Sequence, residues 1–433
     1  MSQVQKPKKG YKLVPWHFGK EIEIPEEWEI TTLKENSHIT DGSHFSPPKV
    51  TKGFPMATVE NLKDSSLDID SCYNISKEDF KQLTKNNCKP EINDVLFTKD
   101  GTVGKSLVFT QNIDVVLLSS IAILKPFESL DPYFLHYSFH SEAITKFIAK
   151  FLGGTAIKRI VLKNLEKFLF PLPSLSEQQK IVTILSNVDS LIDSTSKIIE
   201  NSKSLKTGLM QKLLTRGIGH SKFKKVRLFP RYNEETIPED WNVDRLDNLI
   251  RIMDYRGRTP LFSESGITHL RSNNIRDGQI NFKDITFVSE KTYEEYMTRG
   301  IPQEDDVLFT TEGPLGEVAL VPKNFKFSLA QRIIVLRPKS KIIPKFLKYL
   351  LLDRKVRTRY EGLATGTTLG GIASKWFTKL FLPYPKDISE QQQIASILIN
   401  IDAQIDSQTQ YKDKLERLKK SLMQKLLTGA VRV

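Results

Sequence analysis

Cysteine is nearly absent from this 433-residue chain: Cys72 and Cys88 stand alone, with no CxxC pair. That excludes a disulfide framework or a zinc ribbon and predicts idle thiols in a reducing, cytoplasmic setting. No apolar run approaches the roughly 18 residues of a membrane span, and the start shows no signal-peptide pattern, so no membrane partner is expected. The motifs of small-molecule chemistry are missing too. The seven histidines form no HExxH, and no GxGxxG follows a strand, which removes a zinc protease and a dinucleotide fold. Gly101-Thr-Val-Gly104-Lys105-Ser106 has the tail of a phosphate-binding loop, but Lys99 sits where that loop needs glycine. Ser46-Pro47-Pro48-Lys49 ends in lysine where an amino-methyltransferase needs an aromatic to stack on an extruded base. No carboxylate–lysine cluster recurs in both halves, as a duplicated metal-dependent nuclease would show. The chain is therefore expected to hold no catalytic residue, no metal and no cofactor.

What is present is basic and folded. Lys and Arg number 64 against 51 Asp and Glu, a formal charge of +13, with 39% hydrophobic and 9% aromatic residues. Such a balance supports packed modules and suits a polyanionic partner. The length exceeds one ordinary core and fits two domains.

The chain also repeats itself at one spacing. Ile-Pro-Glu-Glu-Trp at 24–28 returns as Ile-Pro-Glu-Asp-Trp at 237–241, a shift of 213. Asp-Val-Leu-Phe-Thr at 94–98 returns unchanged at 306–310, a shift of 212. Ser-Glu-Gln-Gln at 176–179 and Leu-Met-Gln-Lys-Leu-Leu-Thr at 209–215 return at 389–392 and 422–428, both shifted by 213. Fixed spacing over this distance means two equivalent modules in equivalent order. A chain of pseudo-two-fold form can engage a partner that is itself two-fold, and double-stranded DNA is the commonest.

Each module reads as α+β. Val95–Thr98, Ser106–Phe109 and Ile121–Leu124 have strand composition, as do 307–310, 318–321 and 333–336. One amphipathic helix is expected from Pro132 to Phe151, and one from Pro344 to about Tyr360. A long helix closes each module. Ser176 with Gln179, and Ser389 with Gln392, have the spacing of capping boxes. Apolar residues then recur at 4,3 spacing: Ile181, Leu185, Val188, Ile192, Leu209 and Leu213, matched by Ile394, Leu398, Ile401, Ile405, Leu422 and Leu426. That seam predicts two antiparallel helices pairing as a coiled coil, because each must return the chain to the other module. The middle of the seam is polar, with Thr195, Ser202 and Lys206 against Gln408, Lys412 and Lys419. The residues before Trp28 match those before Trp241, so the repeat closes like a circle.

Polar positions that differ inside matched loops are candidates for reading different partners. Asp41 and Pro47 match Asp254 and Pro260, yet Ser43 and His44 lie between the first pair and Tyr255, Arg256 and Arg258 between the second. Lys99, Thr102 and Lys105 face Thr311, Pro314 and Glu317 around the shared glycines. Ser120 stands against Arg332, beside Gln331, and Lys158 and Arg159 stand against Gly370 and Gly371. Arg pairs bidentately with guanine and Gln with adenine, whereas Lys more often anchors phosphate. The basic run from Lys341 to Arg359 fits a solvated helix face as well as a phosphate track.

These motifs together strongly resemble the specificity subunit of type I restriction-modification systems. They are Pro-Glu-Glu/Asp-Trp, Asp-Val-Leu-Phe-Thr with its glycine loop, Pro-Leu-Pro-Ser-Leu-Ser-Glu-Gln-Gln-Lys-Ile, and Gly-Leu-Met-Gln-Lys-Leu-Leu-Thr. The resemblance covers essentially the whole chain. It implies two α+β target recognition domains, at residues 1–170 and 221–382, separated by long antiparallel helices at 171–220 and 383–433. Each domain would read half of a bipartite, asymmetric DNA site. The helices would dock two modification (methyltransferase) subunits that bring S-adenosylmethionine, and restriction subunits using ATP and Mg can join them. A helix of roughly 60 Å spans at most about 18 base pairs. Half-sites on one face of the duplex would centre about 10 base pairs apart. The rival readings are a stand-alone DNA methyltransferase or nuclease, and a coiled-coil interaction protein that reads no DNA.

Overall fold

The computed structural model describes residues 7–63, 66–151, 159–228, 234–257, 259–364 and 370–433. The chain divides into two units, one of Met1–Ser196 with Tyr411–Val433 and one of Lys197–Gln410, so the division falls inside both long helices.

In the first unit, a four-stranded antiparallel sheet runs in the order Ser37–Asp41, Ile121–Pro126, Val95–Thr98, Ser106–Val108. The second unit repeats it as Ile250–Asp254, Ile333–Pro338, Val307–Thr310, Val318–Leu320. The register repeats as well, with Ile121 opposite Thr98 and Ile333 opposite Thr310. The unchanged Val-Leu-Phe-Thr strand is buried on both faces. Val95 and Phe97 point into the core shared with the helices, and Leu96 into a separate core on the other side. Val307, Phe309 and Leu308 divide in the same way. A strand with no solvent face reads as a continuous apolar run and leaves little room for change. A smaller three-stranded sheet accompanies each, with Phe54–Ala57 central in the first unit and Ile267–Leu270 in the second.

Two helical expectations need correction. Residues 132–151 form two helices, Pro132–Phe139 and Glu142–Phe151, and the second module likewise has Pro344–Leu352 and Arg354–Glu361. The cause is clearest at Asp353, whose extended backbone ends one helix while its carboxylate caps Lys355 N at 2.9 Å and Val356 N at 3.2 Å in the next. The long helices, Leu175–Arg216 and Ile388–Leu426, also start earlier than the capping boxes require. Ser174 and Asp387 take the cap position, with Asp387 Oδ1 accepting Ser389 N at 2.8 Å. Ser176 and Ser389 therefore lie inside the helix.

Within each unit the two helices run antiparallel. In the first, Ile181 and Leu185 share a core with Met423, Leu426 and Leu427, and Lys419 reaches Asp189 at 2.5 Å. In the second, Lys206 reaches Asp402 at 2.6 Å, and Leu213 and Leu214 join Ile394, Ala395 and Leu398. As one number rises its partner falls. Of the seam residues, Ile192, Leu209, Ile405 and Leu422 are half-buried and the rest are buried. The polar middle is accounted for: Thr195 and Ser202 are buried, and Lys206 and Lys419, which are repeat equivalents, each find an aspartate on the facing helix.

Candidate nucleic-acid interface

The interface is built on a frame that the repeat keeps atom for atom. Trp28 Nε1 donates to Glu177 at 3.0 Å, and Trp241 Nε1 to Glu390 at 3.3 Å. Tyr137 Oη donates to Asp189 at 2.8 Å, and Tyr349 Oη to Asp402 at 2.6 Å. The fully buried Gln178 binds Ser129 O and Pro173 O at 2.9 Å each and accepts Asp131 N. Its equivalent Gln391 does the same with Lys341 O, Pro385 O and Ile343 N. These bonds tie each long helix to its own globular part, and they explain why Glu-Gln-Gln recurs: it is an anchor, because buried polar groups are costly unless bonded.

On that frame the glycine loops close identically. Gly104 N bonds Thr98 O and Gly316 N bonds Thr310 O, at 3.0 and 2.9 Å. Gly316 takes φ +83°, and a Cβ there would meet the Tyr360 hydroxyl. Val103 N, Gly104 N and Lys105 N, like Gly316 N and Glu317 N, are bonded within their own loops. Lys99 N bonds Ser120 O, and Thr311 N bonds Arg332 O, both at 2.9 Å. The same bond is thus made by different side-chain bearers.

The candidate residues then separate. Ser43, Lys99, Tyr255 and Thr311 are buried, so they hold loop bases rather than reach outward. Ser43 Oγ bonds Phe45 O at 2.6 Å, Tyr255 Oη bonds Gly300 O at 2.6 Å, and Thr311 Oγ1 bonds Arg332 O at 3.3 Å. Lys99 Nζ lies 3.3 Å from Asp41, whose carboxyl burial pushes up against the pull of Lys99 and His44. Asp254, the equivalent of Asp41, is engaged from elsewhere: Arg256 clasps it with Nε at 2.9 Å and Nη2 at 2.6 Å, and Ser374 donates at 2.7 Å. Burial raises the Asp254 carboxyl, but these bonds outweigh it and hold it below the usual range. The shared aspartate is a pivot whose cation comes from a different strand end in each unit.

His44, Thr102, Lys105, Gln331 and Arg332 are exposed, and Ser120 is half-buried with its hydroxyl unpartnered among the described residues. Arg159 pairs with Asp100 at 3.0 Å, and Arg332 with Glu312 at 2.7 Å. Lys158 and Arg258 lie outside the described residues. The basic run after Lys341 is largely paired off: Lys341 with Asp244, Lys355 and Arg359 with Glu235, Arg357 with Glu361, and Lys348 buried beside Asp402.

Two grooves open beside these loops, one in each unit. The first, about 390 Å³, is lined by Asp41, Ser43, His44, Asp79 and Gln82 among others. The second, about 360 Å³, is lined by Phe262, Arg271, Asn273, Gln331 and Arg332 among others. Asp79, Arg271, Asn273 and Phe262 escape a reading based on matched loops. For Phe262 the signal is an exposed Leu261-Phe262 pair in a polar loop. Among the described residues, His220, Asp240 and Glu390 alone have the spacing of a metal site. Glu390, however, also accepts Ile218 N at 3.1 Å and Trp241 Nε1, so the trio is a structural clasp. Its counterpart is Arg432 across Glu27 and Glu177.

Comparison with known proteins agrees over most of the chain. The family model described as "Type I restriction modification DNA specificity domain" matches twice, at residues 25–202 and 238–417. The MjaVIII specificity subunit of Methanocaldococcus jannaschii is 27% identical over 423 residues, covering 95% of each chain. The EcoBI specificity subunit of Escherichia coli is 26% identical over 292 residues, 65% of this chain and 61% of that one. In fold, the crystal structure of an S subunit from M. genitalium matches with a TM-score of 0.56 at 15% identity, covering 92% of this chain and 96% of that one.

Proposed function

Because this chain belongs to the type I restriction-modification DNA specificity family, we propose that each unit reads one half of a bipartite, asymmetric site in double-stranded DNA. The chain is a specificity subunit and does not catalyse. Adenine methylation and DNA cleavage belong to partner subunits in the cytoplasm, which bring S-adenosylmethionine, ATP and Mg. The observation that carries the reading is the contrast inside the repeat: one set of backbone and anchor bonds presents loops whose outward side chains differ. Residues 1–170 and 221–382 serve as the two recognition domains. His44, Thr102 and Lys105 lead the first and Gln331 and Arg332 the second, with Ser43, Lys99, Tyr255 and Thr311 fixing the loops beneath them.

The helices support docking of two modification subunits. Ile198 and Leu205 in the second unit leave apolar side chains exposed one heptad apart, and Tyr411 and Leu418 do so at the equivalent positions of the first. Two equal patches of apolar surface suit two copies of one partner. The test is to incubate the chain, alone and with its modification subunit, with DNA and labelled S-adenosylmethionine. Transfer should need both proteins and fall at one bipartite motif. Transfer by the chain alone would overturn the reading, and Ile198→Asp with Tyr411→Asp should release the partner in native mass spectrometry.

A further inference from the structure

The groove of the second unit carries chemistry that its counterpart lacks. Gln331 sits in the turn before Ile333–Pro338, and Asn273 in the short turn Ser272–Asn274. Both are exposed, and among the described residues neither carboxamide has a hydrogen-bond partner. Their supports are rigid. Asn274 is buried and bonds Asn281 O at 3.1 Å and Lys283 O at 3.0 Å, while Ser272 Oγ bonds Gly313 O at 2.9 Å. The two guanidiniums of the groove are already engaged, Arg271 with Asp284 O at 2.6 Å and Arg332 with Glu312, which leaves them to anchor phosphate with their remaining N–H groups. The rim is apolar: Leu261 is 82% exposed and Phe262 56%, the Phe262 ring set edge-on to His269 at 5.3 Å. At the matching positions the first unit has Pro48, Lys49 and Ser119.

A free carboxamide offers one donor and one acceptor side by side, the complement of adenine N7 and N6 in the major groove. An apolar rim complements the thymine methyl on the same pair. We propose that this groove selects an adenine–thymine pair in the second unit's half-site, with Gln331 and Asn273 the adenine-reading carboxamides and Phe262 the contact to the thymine methyl. This rests on the reading of the chain as a DNA specificity subunit.

The test uses the chain in complex with its modification subunit and duplexes carrying the motif found by methylome sequencing. The second half-site is the half left unchanged when residues 28–170 are exchanged. Each of its adenines is replaced in turn by 7-deazaadenine, which lacks N7, and each thymine by uracil, which lacks the methyl. One adenine position should lose about ten- to a hundredfold in affinity. Gln331→Ala and Asn273→Ala should lose affinity for the natural duplex and become indifferent to that replacement, and the near-isosteric Gln331→Glu should do the same. Phe262→Ala should become indifferent to uracil. Wild-type indifference to both replacements throughout the half-site, or variants that keep wild-type affinity and sensitivity, would overturn the proposal. Failure of the underlying reading looks different: the complex would not prefer the motif over a scrambled duplex.

Discussion

Asp94 and Asp306 stand at the foot of the same buried strand in the two units, and each caps the turn before it, accepting Glu91 N at 2.7 Å and Gln303 N at 2.8 Å. Beyond that they part. Arg337 clasps Asp306 with two bonds, at 2.9 and 2.7 Å. Its counterpart Lys125 turns to Glu91 instead, at 3.0 Å, and burial pushes the Asp94 carboxyl up to about 6. The backbone role has been kept while the charge environment has changed. The same division runs through both units: amide bonds, tryptophan anchors, buried strands and the lysine–aspartate pairs of the seam agree, and the partners of charged side chains around the loops do not. One scaffold can therefore present two different surfaces without refolding.

The largest test of that equivalence strikes the shared seam. Leu185→Asp and Leu398→Asp occupy equivalent, fully buried positions. Each should cost about 3–5 kcal/mol, since an unpaired charge is placed in a core. Denaturant titration of the two variants should give similar losses, and a loss confined to one would break the equivalence. Next come the anchors. Glu177→Gln and Glu390→Gln should each cost roughly 1–3 kcal/mol by weakening a bond to a buried indole. The first should cost more, because it also strips a partner from the permanently charged Arg432, whose pairing with Glu177 holds its proton more tightly. Since Glu390 likewise clasps His220, equal losses would show that the fixed charge of Arg432 adds nothing.

Arg256→Ala should relax the second half-site only, by roughly 1–3 kcal/mol if the loop it holds presents base contacts. Because Arg256 is bound to Asp254 and Ser374, the effect should come from a shifted loop, and binding assays on both half-sites would separate it from a general loss. The smallest effects concern pH. Burial drives His136 down to about 3 in the first unit and His269 down to about 4 in the second. A histidine held neutral stabilises the fold above its ordinary value near 6.5, and that contribution is lost as pH falls through 6.5 toward the folded value. Asp94 has the opposite sign: its contribution is full below the ordinary carboxylate range and is lost as pH rises through about 6. Thermal melts across pH 4 to 7 should show Asp94→Asn removing a loss of stability that develops as pH rises to about 6, and His136→Gln removing a gain that develops as pH rises toward 6.5, with His269→Gln acting on the second unit alone.

Much of the fold was legible because it obeys local rules. Strands with β-branched and aromatic runs formed where expected, and heptad spacing located the helix pair. The capping boxes misled because Ser-x-x-Gln spacing was read without the residue before it. Ser174 and Asp387 were better caps, and Gln178 and Gln391 were needed inside. The single helices over 132–151 and 344–360 failed for a similar reason, since Asp353 offers a capping carboxylate that periodicity cannot see. For the interface, comparing matched loops identified which positions vary but not which way they face. Lys99 and Tyr255 vary and are buried, whereas Asn273 lies in a stretch with no clear match and Phe262 lies just past the matched Asp-to-Pro loop.

Two non-identical readers on one chain should show independence. Its most direct measurement is methylome sequencing of cells in which residues 28–170 are replaced by the corresponding module of another family member. One half of the methylated motif should change and the other half stay the same. A motif that changes in both halves, or in neither, would rule out independent readers.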